Sequence, residues 1–201
     1  MGNKLPTTKS SDTRQQILDT AKDIILGKGF AAVGLNEILS TAGVPKGSFY
    51  HYFTSKEQFG DALLEDYFDG YLHMLEHMLK DDGSTNFSRL LGFFQFWLDT
   101  QSSDATTDKC LVVKLSAEVT DLSEAMRITL KNGTDRVIAR LTNCVQEGIR
   151  QGEFPTNLDA KTVTAEIYYM WIGATLLTKV GRTRAALECA MNATKARLGL
   201  D

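Results

Sequence analysis

Gly43-Val44-Pro45-Lys46-Gly47-Ser48-Phe49-Tyr50-His51-Tyr52-Phe53-Thr54-Ser55-Lys56-Glu57 is the stretch that decides the fold. Gly43 marks a tight turn. Pro45 follows where a helix would begin, the N1 position at which a missing N–H costs nothing. Phe49 and Phe53 share one face of that helix at i, i+4. Just upstream, Leu35, Ile38, Leu39 and Ala42 line one face of another short helix. Residues 33–53 therefore predict a helix-turn-helix, held from inside by Val33, Leu35, Ile38, Leu39, Val44, Phe49 and Phe53. Lys46, Gly47, Tyr50 and His51 are left on the contiguous outer face, with Ser48 at its edge.

Working outward, Ile17, Leu18, Ala21, Ile24 and Ile25 form one apolar stripe of a preceding helix. Asp12-Thr13-Arg14-Gln15 has capping-box spacing at its start, and Gly29 closes it as C′. Residues 1–11 are polar and expected to fray. Ser55-Lys56-Glu57-Gln58 is a second capping box. It opens a long helix through Phe59, Leu63, Tyr67, Tyr71 and Met74 to about Lys80. Asp81 to Ser84 breaks the pattern, and an apolar-periodic run covers Phe87 to Leu98. Gln101 to Lys109 reads as a polar loop, and Leu111 to Leu115 as a short apolar piece. Ser123 caps a long helix to about Gln151. A very apolar helix covers about Asp159 to Val180, and a last helix Arg184 to about Leu198. No run alternates as a strand would, so the chain is expected to be all-α, with about nine helices. The expected division is a frayed 1–11, a helix-turn-helix domain over 12–57 and a regulatory and dimerisation part over 58–201.

The chain has 201 residues and a net charge of −3. That length bounds it to one or two domains. A hydrophobic content of 43% argues against disorder. The N-terminus carries no apolar signal segment. The longest uncharged apolar run, between Glu166 and Lys179, falls short of the ~20 residues that span a bilayer. Cys110, Cys144 and Cys189 make an odd set without metal-ligand spacing, which favours a reduced, cytoplasmic protein. No metal and no cofactor are expected. His73 and His77 stand at i, i+4 without a third ligand, and neither a HExxH, a P-loop nor a Rossmann glycine pattern occurs.

The outer face of the second short helix carries residue types that suit double-stranded DNA. Lys46 can donate to guanine or to phosphate, and Gly47 lets the backbone come close to the groove. Ser48 and His51 can read donors or acceptors, and Tyr50 and Tyr52 offer hydroxyls to phosphates. Lys56 stands at a helix N-terminus, itself suited to a phosphate. The charge is divided to match. Residues 1–60 hold seven Lys and Arg against five Asp and Glu, whereas residues 61–201 hold fifteen against twenty. So small a basic surplus favours two such domains on one DNA, hence a dimer.

The run from Gly43 to Glu57, with the Arg14 to Phe30 helix and Asn36-Glu37-Ile38, closely resembles the TetR family of transcriptional regulators over about residues 12–60. Gly34 departs from the Thr often found there, but Gly is an acceptable N-cap. The resemblance implies an all-helical homodimer that binds a palindromic operator. Its C-terminal part would take an inducer, and its last two long helices would form a four-helix dimer interface.

Two readings of the C-terminal part compete. In one, Phe93, Trp97, Met126, Tyr168 and Trp171 line an apolar inducer pocket, although such stripes also build plain core. In the other, Cys110 opens a short helix whose N–H groups favour a thiolate, with Lys109 and Lys114 near in sequence. Lys179, a lone charge closing the apolar run, would be its partner. Cys110 as a small buried hydrophobe, with Lys179 snorkelling outward, is the plain alternative. The stretch from Cys110 through Lys114-Leu115-Ser116-Ala117-Glu118-Val119 to Glu124, with Trp171-Ile172-Gly173-Ala174 and Lys179, resembles the NemR-type branch of the family. That resemblance implies a repressor responding to electrophiles and oxidants through Cys110. Modification would then change the packing between the short helix and the fourth helix. Cys144 and Cys189 read as structural. A cysteine-dependent helical enzyme is a remote third reading.

Overall fold

A computed structural model describes residues 8–103 and 110–199, with side chains from residue 12. Among the described residues there are nine helices and no strand: α1 (Thr8–Lys28), α2 (Leu35–Ala42), α3 (Lys46–Tyr52), α4 (Lys56–Leu79), α5 (Asn86–Ser102), α6 (Leu111–Val119), α7 (Glu124–Arg150), α8 (Ala160–Gly181) and α9 (Ala185–Arg197). Of the described residues, those up to 67 with 114–130 form one compact unit, and those of 68–113 with those from 131 onward another. The unit that holds the helix-turn-helix thus takes in a segment lying far beyond the expected boundary at 57/58.

The first unit is built around the α1 stripe. Ile17, Leu18, Ala21 and Ile25 are fully buried there, as are Val33, Ile38 and Phe49. Phe49, Phe53 and Phe59 close into a three-ring cluster with centroids 5.1 to 5.5 Å apart. Tilted rings at that spacing satisfy their quadrupoles as well as their area. Gly43 adopts φ 64, the left-handed region open to glycine, and the Val44 N–H returns to the Leu39 carbonyl at 3.0 Å.

Two expected helix starts are corrected. Pro45 is the N-cap of α3, with φ −61 and ψ 145, rather than its first helical residue. Proline fits there because its ring presets φ and its ψ can stay extended. α1 begins at Thr8, so Asp12 lies inside the helix and residues 8–11 are helical rather than frayed. The polar run Thr8 to Ser11 contains no breaker, so the helix can include it, and residues 1–7 of the expected frayed segment lie outside the described residues. Ser55 does cap α4, its hydroxyl accepting from the Gln58 N–H at 3.1 Å. Gln58 returns its side-chain oxygen to the Thr54 N–H.

The second unit centres on aromatic rings of α5 and α8. Phe94 stacks on Trp171 at 4.8 Å, and Trp97 meets both Tyr168 and Trp171. Each indole N–H has a partner: Trp97 donates to Thr175 Oγ1 and Trp171 to Thr194 Oγ1, both at 2.9 Å. Each threonine hydroxyl then donates to a carbonyl one turn back in its own helix. These two indoles and two threonines are therefore satisfied as a chain. Gly133 of α7 lies so close to Phe68 of α4 that a Cβ there would sit 2.2 Å from the ring. No helix among the described residues is long and apolar enough to cross a membrane.

Candidate nucleic-acid interface and sensor region

α3 is only seven residues long, yet it sorts its side chains sharply. Phe49 is fully buried and fastens the helix, while Lys46, Gly47, Tyr50 and His51 are exposed. Ser48 and Tyr52 are half-buried at the edges of that face. Tyr50 packs its ring edge-on to Phe49, and His51 does the same with Tyr52. Two side chains that bear hydroxyl or imidazole groups are thus held by rings below them. A helix presenting a cation, a glycine and hydrogen-bonding tips in one stripe has the build of a groove reader.

Lys56 is placed differently. Its Nζ donates to the Phe30 carbonyl at 2.9 Å and lies 4.8 Å from the Phe30 ring centroid. It ties the start of α4 to the end of the α1 turn and does not join the exposed α3 stripe. A lysine at a helix start reads equally as phosphate contact or tether, and only the position of Phe30 distinguishes the two.

Glu118 carries no sequence signal for the role it fills. From the last turn of α6 its carboxylate accepts the Phe30 N–H at 3.0 Å and also the Ala31 N–H. These donors follow α1, where the chain has left the helix at Gly29 with φ 93. A carboxylate there acts as the partner for backbone N–H groups that no helix satisfies. On the preceding turn of α6, Lys114 Nζ reaches the Gly27 carbonyl at 3.4 Å. That placement corrects the expectation that Lys114 attends the thiol. Lys109 lies outside the described residues.

In the second unit, half-buried Cys110 immediately precedes α6. Its backbone N–H donates to Gln101 Oε1 at 2.9 Å. Burial holds the Tyr71 hydroxyl well above the ordinary phenol range, and the neighbouring Cys110 and Tyr168 add to the rise. Tyr168 is raised by burial and then by Cys110. The thiol thus lies within electrostatic reach of both phenols, and neither Tyr71 nor Gln101 was singled out by the sequence as its neighbour. Lys179 lines an open cavity together with Gln101, the residue that fixes the Cys110 backbone.

The five residues expected to line an apolar pocket are not one set. Phe93, Trp97, Tyr168 and Trp171 are packed against one another as core. Met126 belongs to the other unit, where it faces Phe30 across Gly60. The cysteines also separate. Cys144 is buried beside Asn86, and burial pushes its thiol up to about 11. Cys189 is exposed on α9, which corrects its reading as a structural cysteine. His73 and His77 are exposed, and no group of three or more ligating side chains among the described residues could hold a metal.

One further surface stands out. Tyr169, Leu176, Leu177 and Val180 are 52 to 76% exposed along α8. Their spacing places them on one side of the helix with exposed Gly173 between them. Four large apolar side chains on one helix face form the kind of patch that marks an interaction surface.

Comparison with known proteins agrees with this architecture. Residues 17–63 match the family described as "Bacterial regulatory proteins, tetR family", and residues 87–194 match "Tetracyclin repressor-like, C-terminal domain". The chain is 41% identical over 181 residues to the HTH-type transcriptional repressor NemR of Escherichia coli strain K12, covering 90% of each chain. It is 27% identical over 175 residues to the repressor DhaR of a Mycobacterium species, covering 87% of this chain and 86% of that one. The crystal structure of reduced E. coli NemR superposes with a TM-score of 0.87 at 39% identity, over 92% of this chain and 96% of that one. Helix-turn-helix, all-helical C-terminal part and sequence identity together place this chain in the TetR family of bacterial transcriptional repressors.

Proposed function

We propose that this repressor binds a palindromic operator as a homodimer through α3, and releases it when an electrophile or oxidant modifies Cys110. Lys46, Gly47, Ser48, Tyr50, His51 and Tyr52 would make the DNA contacts. The exposed apolar face of α8 supports pairing with a second copy. A dimer sets two recognition helices about 34 Å apart, one turn of DNA.

The observation that carries the sensor reading is the make-up of α6. Cys110 stands at its start, held by Gln101, and Glu118 in its last turn holds the backbone N–H groups of Phe30 and Ala31. A carbon electrophile adds to the thiolate and lengthens the side chain beside Tyr71 and Tyr168. A two-electron oxidant converts the thiol to sulfenic acid, and condensation with the Lys179 amine would release water. Either product cannot occupy the space of a thiol. A shift of α6 pulls on the α1–α2 turn and carries the recognition helices off their spacing. DNA is then released.

The test is fluorescence anisotropy on upstream DNA of the chain's own gene, before and after treatment with N-ethylmaleimide or peroxide. The wild type loses DNA and Cys110→Ser retains it. Equal release from Cys110→Ser refutes the sensor assignment.

A further inference from the structure

An open cavity of about 520 Å³ lies where the ends of α5 and α8 meet the start of α9. Its volume falls within the range of small-molecule sites. Its cations come from Lys179, Arg182 and Arg184, and no carboxylate lines it among the described residues. Arg182 makes no ion pair among the described residues, and Arg184 pairs with Glu188 at 2.8 Å, outside the lining. Thr178 also lines the cavity. It is 6% exposed, and its hydroxyl has no hydrogen-bond partner among the described residues. Thr175, one turn earlier on α8, gives its hydroxyl to the Trp171 carbonyl, so the helix itself could have taken the Thr178 proton and does not. A buried donor left open in a cationic cavity is the mark of a missing acceptor. The serines contribute less: Ser102 and Ser103 already give their protons to carbonyls of α5.

We propose that this cavity binds a small organic anion, a metabolite whose carboxylate or phosphate oxygens accept from Arg182 and the Thr178 hydroxyl. Arginine's planar fork pairs with two oxygens of either group. Gln101 lines the same cavity and holds the Cys110 N–H, so an occupant also touches the residue that fixes the start of α6. This makes the anion a second input to the regulator. Only that coupling rests on the cysteine reading; the binding site stands without it.

Arg182 provides a clean variant. It adopts φ 51, a left-handed conformation that costs an L side chain and suits glycine. Arg182→Gly removes the cation while easing the backbone. The experiment is isothermal titration of the full-length protein with inorganic phosphate and, separately, succinate, each to about 50 mM at fixed ionic strength. Saturable binding of at least one probe is expected, weakened about tenfold or more in Arg182→Gly, the scale of one charge-assisted contact. Binding of phosphate alone identifies a phosphorylated metabolite, and of succinate alone an organic acid. Absence of saturable binding by either probe, or equal binding by Arg182→Gly, overturns the site. For the coupling, the bound probe should change the rate at which maleimide labels Cys110 in the wild type, but not in Arg182→Gly. An unchanged rate with intact binding refutes the coupling alone. DNA release measured without either anion tests the sensor reading separately.

Discussion

Replacing Glu118 with alanine should loosen the turn between α1 and α2 more than any exposed carboxylate on this chain would. The carboxylate accepts from two backbone N–H groups, Phe30 at 3.0 Å and Ala31. Hydrogen bonds to a charged acceptor contribute roughly 1.5–3 kcal/mol each. The two are not equal here. Ala31 is exposed, so water replaces most of what its N–H loses. Phe30 is buried at 3% exposure, and its N–H is partly shielded, so it bears most of the penalty. A total loss of about 2 kcal/mol follows. Glu118→Gln keeps one carbonyl oxygen and so one bond, and should lose about half as much. Urea unfolding followed by circular dichroism measures the totals. Amide hydrogen exchange locates them, with faster exchange expected at Phe30 and Ala31 and little change in α8. If Glu118→Ala stays within about 0.5 kcal/mol of the wild type, the range of an ordinary surface change, then Glu118 does not hold the turn. The reasoning about α6 as a link would fall with it.

Gly133→Ala puts a methyl group 2.2 Å from the Phe68 ring and should destabilise the protein by about 1–3 kcal/mol, read as a lower urea midpoint. Cys144 should resist maleimide in the native protein at neutral pH, while Cys189 labels readily, as mass spectrometry of peptides would show. The Cys144 thiol is raised from 9.0 to about 11 by burial, so the folded state holds its proton longer than the unfolded chain. Its contribution to stability is present below pH 9 and is lost as pH rises toward 11. Unfolding at pH 8 and pH 10.5 should show that loss, and Cys144→Ala should reduce it.

Periodicity and caps were legible because they act over a turn or two. The i, i+4 pair Phe49 and Phe53, the stripe of α1 and the Ser55 and Ser123 caps all match what the spacing predicts. The Thr85 cap of α5 was missed, though its hydroxyl accepts the Ser88 N–H at 3.1 Å, because the preceding Asp and Gly residues read as one undivided break. Pro45 shows the limit of a local rule. The same residue suits N-cap and N1, and the difference is a single ψ.

What the sequence determined by itself was the helical class, the helix-turn-helix and its outer stripe, and the basic character of the first 60 residues. These depend on neighbours within four residues, where geometry is set by the helix. The partners of Glu118 stand 87 and 88 positions away, and Trp97 finds Thr175 across 78. The tether role of Lys56, the separation of Met126 from the other aromatic-cluster candidates and the cationic cavity behind Thr178 depend likewise on which surfaces pack together. A residue type tells which bonds a side chain can make. Only tertiary packing decides which of them it does make, because burial removes the water that would otherwise satisfy every one equally.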